Sequence, residues 1–178
     1  MSTGLSNKLA GQVGEFLVCA ELGRRGFIAT SFTGNVPEFD LIVANDALRT
    51  IPIQVKSSRG ASWRTSASLW IDIEIDSSTK KQIDRGDLEI SNPELIYVCV
   101  ALAEPDAEMT KDRYFILTKS DLQKICAANY RNWIAKHDWQ RPRNFRSLDN
   151  RYDIEDLAPY ENNWGLISRR LVSDVTTP

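Results

Sequence analysis

Nine consecutive apolar residues, Leu95 to Ala103 (LIYVCVALA), constrain this chain more than any other feature. The run is too short to cross a bilayer as a helix, which takes ~20 residues. Laid out as a strand it is apolar on both faces, because successive side chains alternate. Such a strand belongs at the centre of a sheet covered on both sides, so the expected class is α/β with a mixed central sheet.

Composition agrees. The 178 residues are 42% hydrophobic and 26% charged, with 9 Gly and 7 Pro, the balance of a globular domain. At this length folding hides about 70% of the unfolded surface, so a core needs no staples. One domain over residues 1–178 is expected, with 136–178 as a C-terminal extension. Cys19, Cys99 and Cys126 are odd in number, lack CxxC spacing and sit among apolar neighbours, as reduced core thiols of a cytoplasmic protein do. The polar start MSTGLSNKL contains no apolar signal segment, and no membrane partner is expected. A single histidine, His137, excludes mechanisms needing two, and neither GxSxG nor GxxxxGK[ST] occurs. Chemistry here must use carboxylates, amides, lysine or arginine.

Leu9, Val13, Phe16, Leu17 and Ala20 recur at helical spacing, and Gly26 ends that helix. Strands are expected over Phe27–Phe32, Glu38–Asn45 and Ile51–Ser58, forming a meander, with further strands at Leu69–Ile75, Leu95–Leu102 and Tyr114–Thr118. Thr79–Leu88 reads as a short helix. A capping box at Ser120 to Gln123 opens a longer one whose face carries Leu122, Ile125, Cys126, Trp133 and Ile134. Trp164–Leu171 reads as a final edge strand, and His137 as a helix cap rather than a catalyst.

Glu15 stands out on the first helix. It falls on the ridge Gly11, Glu15, Val18, Leu22, away from the charged Lys8, Arg24 and Arg25. A carboxylate there costs several kcal/mol unless a cation meets it or the ridge is exposed. In the strands that follow, Glu38 and Asp40 share one face, as do Gln54, Lys56 and Ser58. A turn centred on Ala47 puts Asp40 opposite Gln54, with Cβ atoms ~5 Å apart. Asp and Gln offer hard oxygens for one ion, with the lysine next along the strand; an exposed polar face gives the same pattern.

The segments GQVGEFLVCAELGRRGFIA, PEFDLIVAN and IPIQVKSS together resemble the PD-(D/E)XK nuclease superfamily, which has the restriction-endonuclease-like fold. The resemblance implies an αβββαβ core, and it transfers a metal-binding, catalytic set to Glu15, Asp40, Gln54 and Lys56. Glu15, Asp40 and Gln54 would hold Mg²⁺ or Mn²⁺, and Lys56 would orient water or offset charge. Gln54 stands where the family carries an acid, which makes this a QxK variant with two formal negative charges at the ion. The implied activity is endonucleolytic hydrolysis of phosphodiesters, in DNA. The alternative is a catalytically inactive subunit of the same fold that binds nucleic acid or joins an assembly, and a homodimer or larger complex stays open.

A competing acidic set, Asp72, Glu74 and Asp76, shares one face of LWIDIEID opposite three isoleucines, the pattern of a half-solvated strand. Pro105-Asp106 has no acid-x-Lys strand after it. The net charge of −2 argues against coating nucleic acid with the whole surface. Local stretches differ. Lys56, Arg59 and Arg64 lie near Ser57, Ser58 and Trp63 with no acid from Val55 to Thr65. Further on, Arg141, Arg143 and Arg146 accompany Trp139 and Phe145. Both stretches are candidates for gripping phosphates and stacking on bases, and equally for covering a core edge.

Overall fold

The structure, a computed structural model, describes residues 4–32, 38–103, 109 and 111–173. In chain order the elements are α1 (Gly4–Arg24), β1 (Ile28–Ser31), β2 (Leu41–Ala44), β3 (Thr50–Arg59), β4 (Ser62–Ser66), β5 (Ile71–Asp76), β6 (Lys81–Asp87), β7 (Ile96–Leu102), β8 (Arg113–Thr118), α2 (Lys119–Ala135), β9 (Asp149–Asp153) and α3 (Gly165–Ser173). Pro37 and Pro105-Asp106 lie outside the described residues.

The apolar run is β7, and all seven of its residues are buried. It sits inside a five-stranded sheet of order β1-β2-β3-β7-β8, antiparallel except for the β3–β7 pair. Alternation sends Ile96, Val98 and Val100 toward Val18 and Leu22 of α1, while Tyr97, Cys99 and Ala101 face Leu122, Cys126 and Tyr130 of α2. The result is a mixed α/β fold with a helix on each face of the sheet. Cys99 and Cys126 are buried and free, and burial pushes the Cys99 thiol up to about 12. Among the described residues no helix is long and apolar enough to cross a membrane.

Four local expectations are corrected. Thr79–Leu88 is not a helix; Lys81–Asp87 is a strand paired with β5. Gln82 is anchored there by hydrogen bonds to Phe145 O and Ser147 O, and Asp84 by Arg131. The crossover from β3 to β7 therefore contains β4, a 3-10 turn and the β5–β6 hairpin rather than the helix of an αβββαβ core. Trp164–Leu171 is largely α3, with Trp164, Ile167 and Leu171 buried on one helical face. The capping box begins at Thr118, whose hydroxyl accepts Asp121 N–H at 3.1 Å. On α1 the apolar stripe Leu9, Val13, Phe16 faces outward, Phe16 being 57% exposed, whereas the ridge holding Val18 and Leu22 is packed on the sheet.

The segment expected as an extension supplies both layers. Tyr152 and Leu157 join the core beneath α2, and Trp164, Ile167 and Leu171 join the one beneath α1.

Candidate active site

The β2–β3 ladder pairs Leu41 with Ile53 and Ala44 with Thr50, the register of a turn centred on Ala47. Extended by one step, it sets Asp40 against Gln54. Regular pairing stops there, because β2 begins only at Leu41 and β3 continues alone on that edge. Asp40 closes the gap: its N–H donates to Ile53 O at 2.9 Å, and its Oδ2 accepts Val55 N–H at 2.8 Å. The carboxylate thus occupies the place of a missing backbone acceptor, at the seam between the two faces of the sheet. The Gln54 side chain, 8% exposed, donates its amide NH₂ to the same Oδ2.

Glu15 approaches the seam from α1. Half-buried, it has no hydrogen-bond or ion-pair partner among the described residues, and its pKa is raised, first by burial and then by the negative charge of Asp40. Two carboxylates that feel one another's charge repel, and a proton or a cation relieves that repulsion. Gly14 sets this approach. A Cβ at position 14 would overlap Ser57 Oγ and lie 2.7 Å from Ser57 Cβ, so α1 touches β3 there through bare backbone. Gly14→Val is expected to lift α1 from β3, lowering Tm by several degrees and weakening Mn²⁺ uptake in calorimetry. A variant with parental Tm and Mn²⁺ uptake would show that this contact does not place Glu15.

Lys56 points to the α2 side, exposed, into a cleft of about 600 Å³ shared with Arg64, Tyr97 and Lys119. Tyr97 pairs with Gln54 in the parallel ladder, and its hydroxyl is raised to about 12, mainly by burial, with Cys99, Glu38 and Asp40 adding to it. The structure therefore brings Asp40 and Gln54 into contact, puts Glu15 within reach of Asp40's field, and sets Lys56 one alternation beyond Gln54. Glu38 leaves the group: with φ of 74° it turns toward Ser91 and Asn92 and bonds both.

Several of the candidate nucleic-acid contacts are engaged within the fold. Trp63 is 4% exposed, stacks on Tyr152 at 5.4 Å and donates to Lys56 O, so no ring face is free for a base. Ser57 Oγ is buried against Gly14, and Ser58 Oγ donates to Ser62 O. Arg141 lies over Trp133 at 4.5 Å and donates to Asp149 O. Arg146 packs over Phe145, Arg59 is engaged by other groups, and Arg143 and Arg64 are exposed. His137 rests on Trp133, 4.4 Å between ring centres. In the Asp72 set, Glu74 is held by Arg85, and Asp76 by Ser78 and Thr79. Among the described residues no three His, Cys, Asp or Glu side chains cluster as metal ligands.

Gly14, Tyr97 and the Val55 N–H were missed in the sequence. Only Gly14 left a signal, since a mid-helix glycine costs ~1 kcal/mol and implies a packing reason.

No protein-family model matches the chain, and no curated protein matches it. Among solved structures, the bacterial homing endonuclease I-Ssp6803I is similar over 97% of this chain and 99% of that one, with a TM-score of 0.54 at 11% identity. This chain shares the overall fold of that structure, a mixed α/β sheet with a helix on each face. The Holliday junction resolvase Hjc of Archaeoglobus fulgidus covers 84% of this chain and 88% of its own, with a TM-score of 0.39 at 13% identity.

The group implied by the family resemblance of the sequence is a divalent cation, and the donors at the seam fit one. Asp40 Oδ1 accepts no hydrogen bond among the described residues, and Glu15 is unneutralised there. The ligand role read for Gln54 needs its carbonyl oxygen, whereas here the NH₂ end faces Asp40. Half a turn of the amide exchanges the two atoms in place. Hard oxygens with two formal charges suit Mg²⁺ or Mn²⁺.

Proposed function

We propose that this chain is a metal-dependent nuclease that hydrolyses phosphodiester bonds in DNA. The observation carrying the reading is Asp40 at the edge of β3, its Oδ2 held by Val55 N–H and the Gln54 amide, with Glu15 near enough on α1 to feel its charge. The overall likeness to a homing endonuclease supports it at the level of fold. Glu15, Asp40 and Gln54 would hold Mg²⁺ or Mn²⁺, which when bound supplies Lewis acidity and an activated water. Asp40 stays fixed by Val55 N–H, so its free oxygen keeps its aim. Lys56, unpaired among the described residues, presents an ammonium on the cleft side, where it orients water or offsets charge on the phosphate.

One observation favours a second reading. The Gln54 amide already satisfies an oxygen of Asp40 without any ion, as a catalytically silent nucleic-acid-binding or assembly subunit would require. Incubation of the purified chain with supercoiled plasmid and Mn²⁺ separates the two. Nicking is expected, and Lys56→Ala is expected to reduce it by about 10²-fold. Absence of nicking together with absence of Mn²⁺ uptake in calorimetry establishes the silent subunit.

A further inference from the structure

The two-stranded ribbon β4–β9 pairs Arg64 directly with Arg151. Both are exposed, and neither guanidinium makes an ion pair or hydrogen bond among the described residues. Like charges placed opposite each other on a ribbon cost stability. Asp149 and Asp153 share that face, two positions either side of Arg151, but neither forms an ion pair with an arginine among the described residues, Asp153 instead accepting the N–H groups of Glu155 and Asp156 at 3.1 Å each. Arg64 also lines the cleft that Lys56 enters, together with Lys119, whose Nζ donates to Ser91 O at 2.9 Å. Among the described residues one acid, Glu89, lines that cleft. The ribbon's inner face is closed by the Trp63–Tyr152 stack, so the two arginines are carried on a rigid support.

We propose that Arg64 and Arg151 form a phosphate track that carries the sugar-phosphate backbone of a DNA strand across the β4–β9 ribbon toward the Lys56 cleft. Paired guanidiniums suit phosphate oxygens, and neutralisation by phosphates removes the repulsion between them. The contacts read no bases, so the track is indifferent to sequence. The choice of DNA rests on the nuclease reading above; the track itself does not depend on cleavage.

The test uses the full chain carrying Asp40→Asn, in EDTA, with fluorescein-labelled 20-bp duplexes of two unrelated sequences, over 50–200 mM KCl. Adding Arg64→Ala and Arg151→Ala is expected to weaken binding to both duplexes equally and to flatten the slope of log K against log[KCl] by about 2. Tm should stay level or rise, because a like-charge contact is gone. Lysines at both positions should restore the slope. An unchanged slope overturns the proposal, as does a loss confined to one sequence or matched by a fall in Tm. Salt-sensitive binding of polyglutamate but not of duplex would also overturn it, in favour of an acidic protein partner. Because this readout needs neither metal nor turnover, a plasmid assay without nicking leaves the track standing while removing the nuclease reading.

Discussion

Replacing Asp40 with asparagine is expected to lower Mn²⁺-supported plasmid nicking by about 10³-fold while leaving the β2–β3 hairpin folded. Asp40 has two separable tasks. Its N–H and Oδ2 complete the edge of β3 through Ile53 O and Val55 N–H, and its negative charge makes the seam attractive to a cation. Asparagine, with its oxygen in the place of Oδ2, keeps an acceptor for both Val55 N–H and the Gln54 amide. Alanine keeps neither and strands a buried N–H, at about 1–3 kcal/mol. Asp40→Asn should therefore melt within about 2 °C of the parent, whereas Asp40→Ala melts several degrees lower. Calorimetry should show Mn²⁺ binding lost in both. Parental nicking by the asparagine variant would place the chemistry elsewhere on the molecule.

The hairpin was legible because two constraints are local: side chains alternate, and a turn at Asn45 to Leu48 fixes which residues face each other. β7 was legible because nine apolar residues leave a strand no solvent face. What failed was decided at long range. KQIDRGD has no strong period, and it is a strand because β5 pairs with it and because Gln82 and Asp84 find partners on the segment after α2 and on α2 itself. Trp63 carried the right residue type for base stacking, but Tyr152, 89 positions later, covers it. Trp164, Ile167 and Leu171 stand at helical spacing, and it is the packing of that face on the sheet that makes the segment a helix rather than an edge strand.

The first helix shows where residue pattern misleads. Leu9, Val13 and Phe16 form the more hydrophobic stripe, yet the sheet takes the ridge of Ala10, Gly14, Val18 and Leu22. Small residues let α1 approach β3 at backbone distance, and that closeness brings Glu15 down to the seam. A larger stripe packed inward would hold the helix farther off, with Glu15 turned away from Asp40.

Glu15→Gln is accordingly expected to stabilise the protein while disabling it. Burial and the Asp40 charge raise the Glu15 pKa above its ordinary 4.5. For an acid raised on folding, the favourable contribution is complete below the ordinary value and is lost as pH rises through the folded one. At pH 7.5 the parent therefore bears an ionised carboxylate beside a second one, and glutamine removes that repulsion. Tm should rise, at about 2–4 °C for each kcal/mol relieved, and the advantage should fade as pH falls toward 4.5. Manganese reverses the order. It binds between the two carboxylates of the parent, relieves their repulsion and raises the parent's Tm, whereas the glutamine variant, left with one formal charge, gains little. Nicking should fall by about 10²-fold or more. A variant less stable than the parent at pH 7.5 without metal would mean that Glu15 already has a cationic partner, and the meeting of carboxylates on which the metal site depends would not exist.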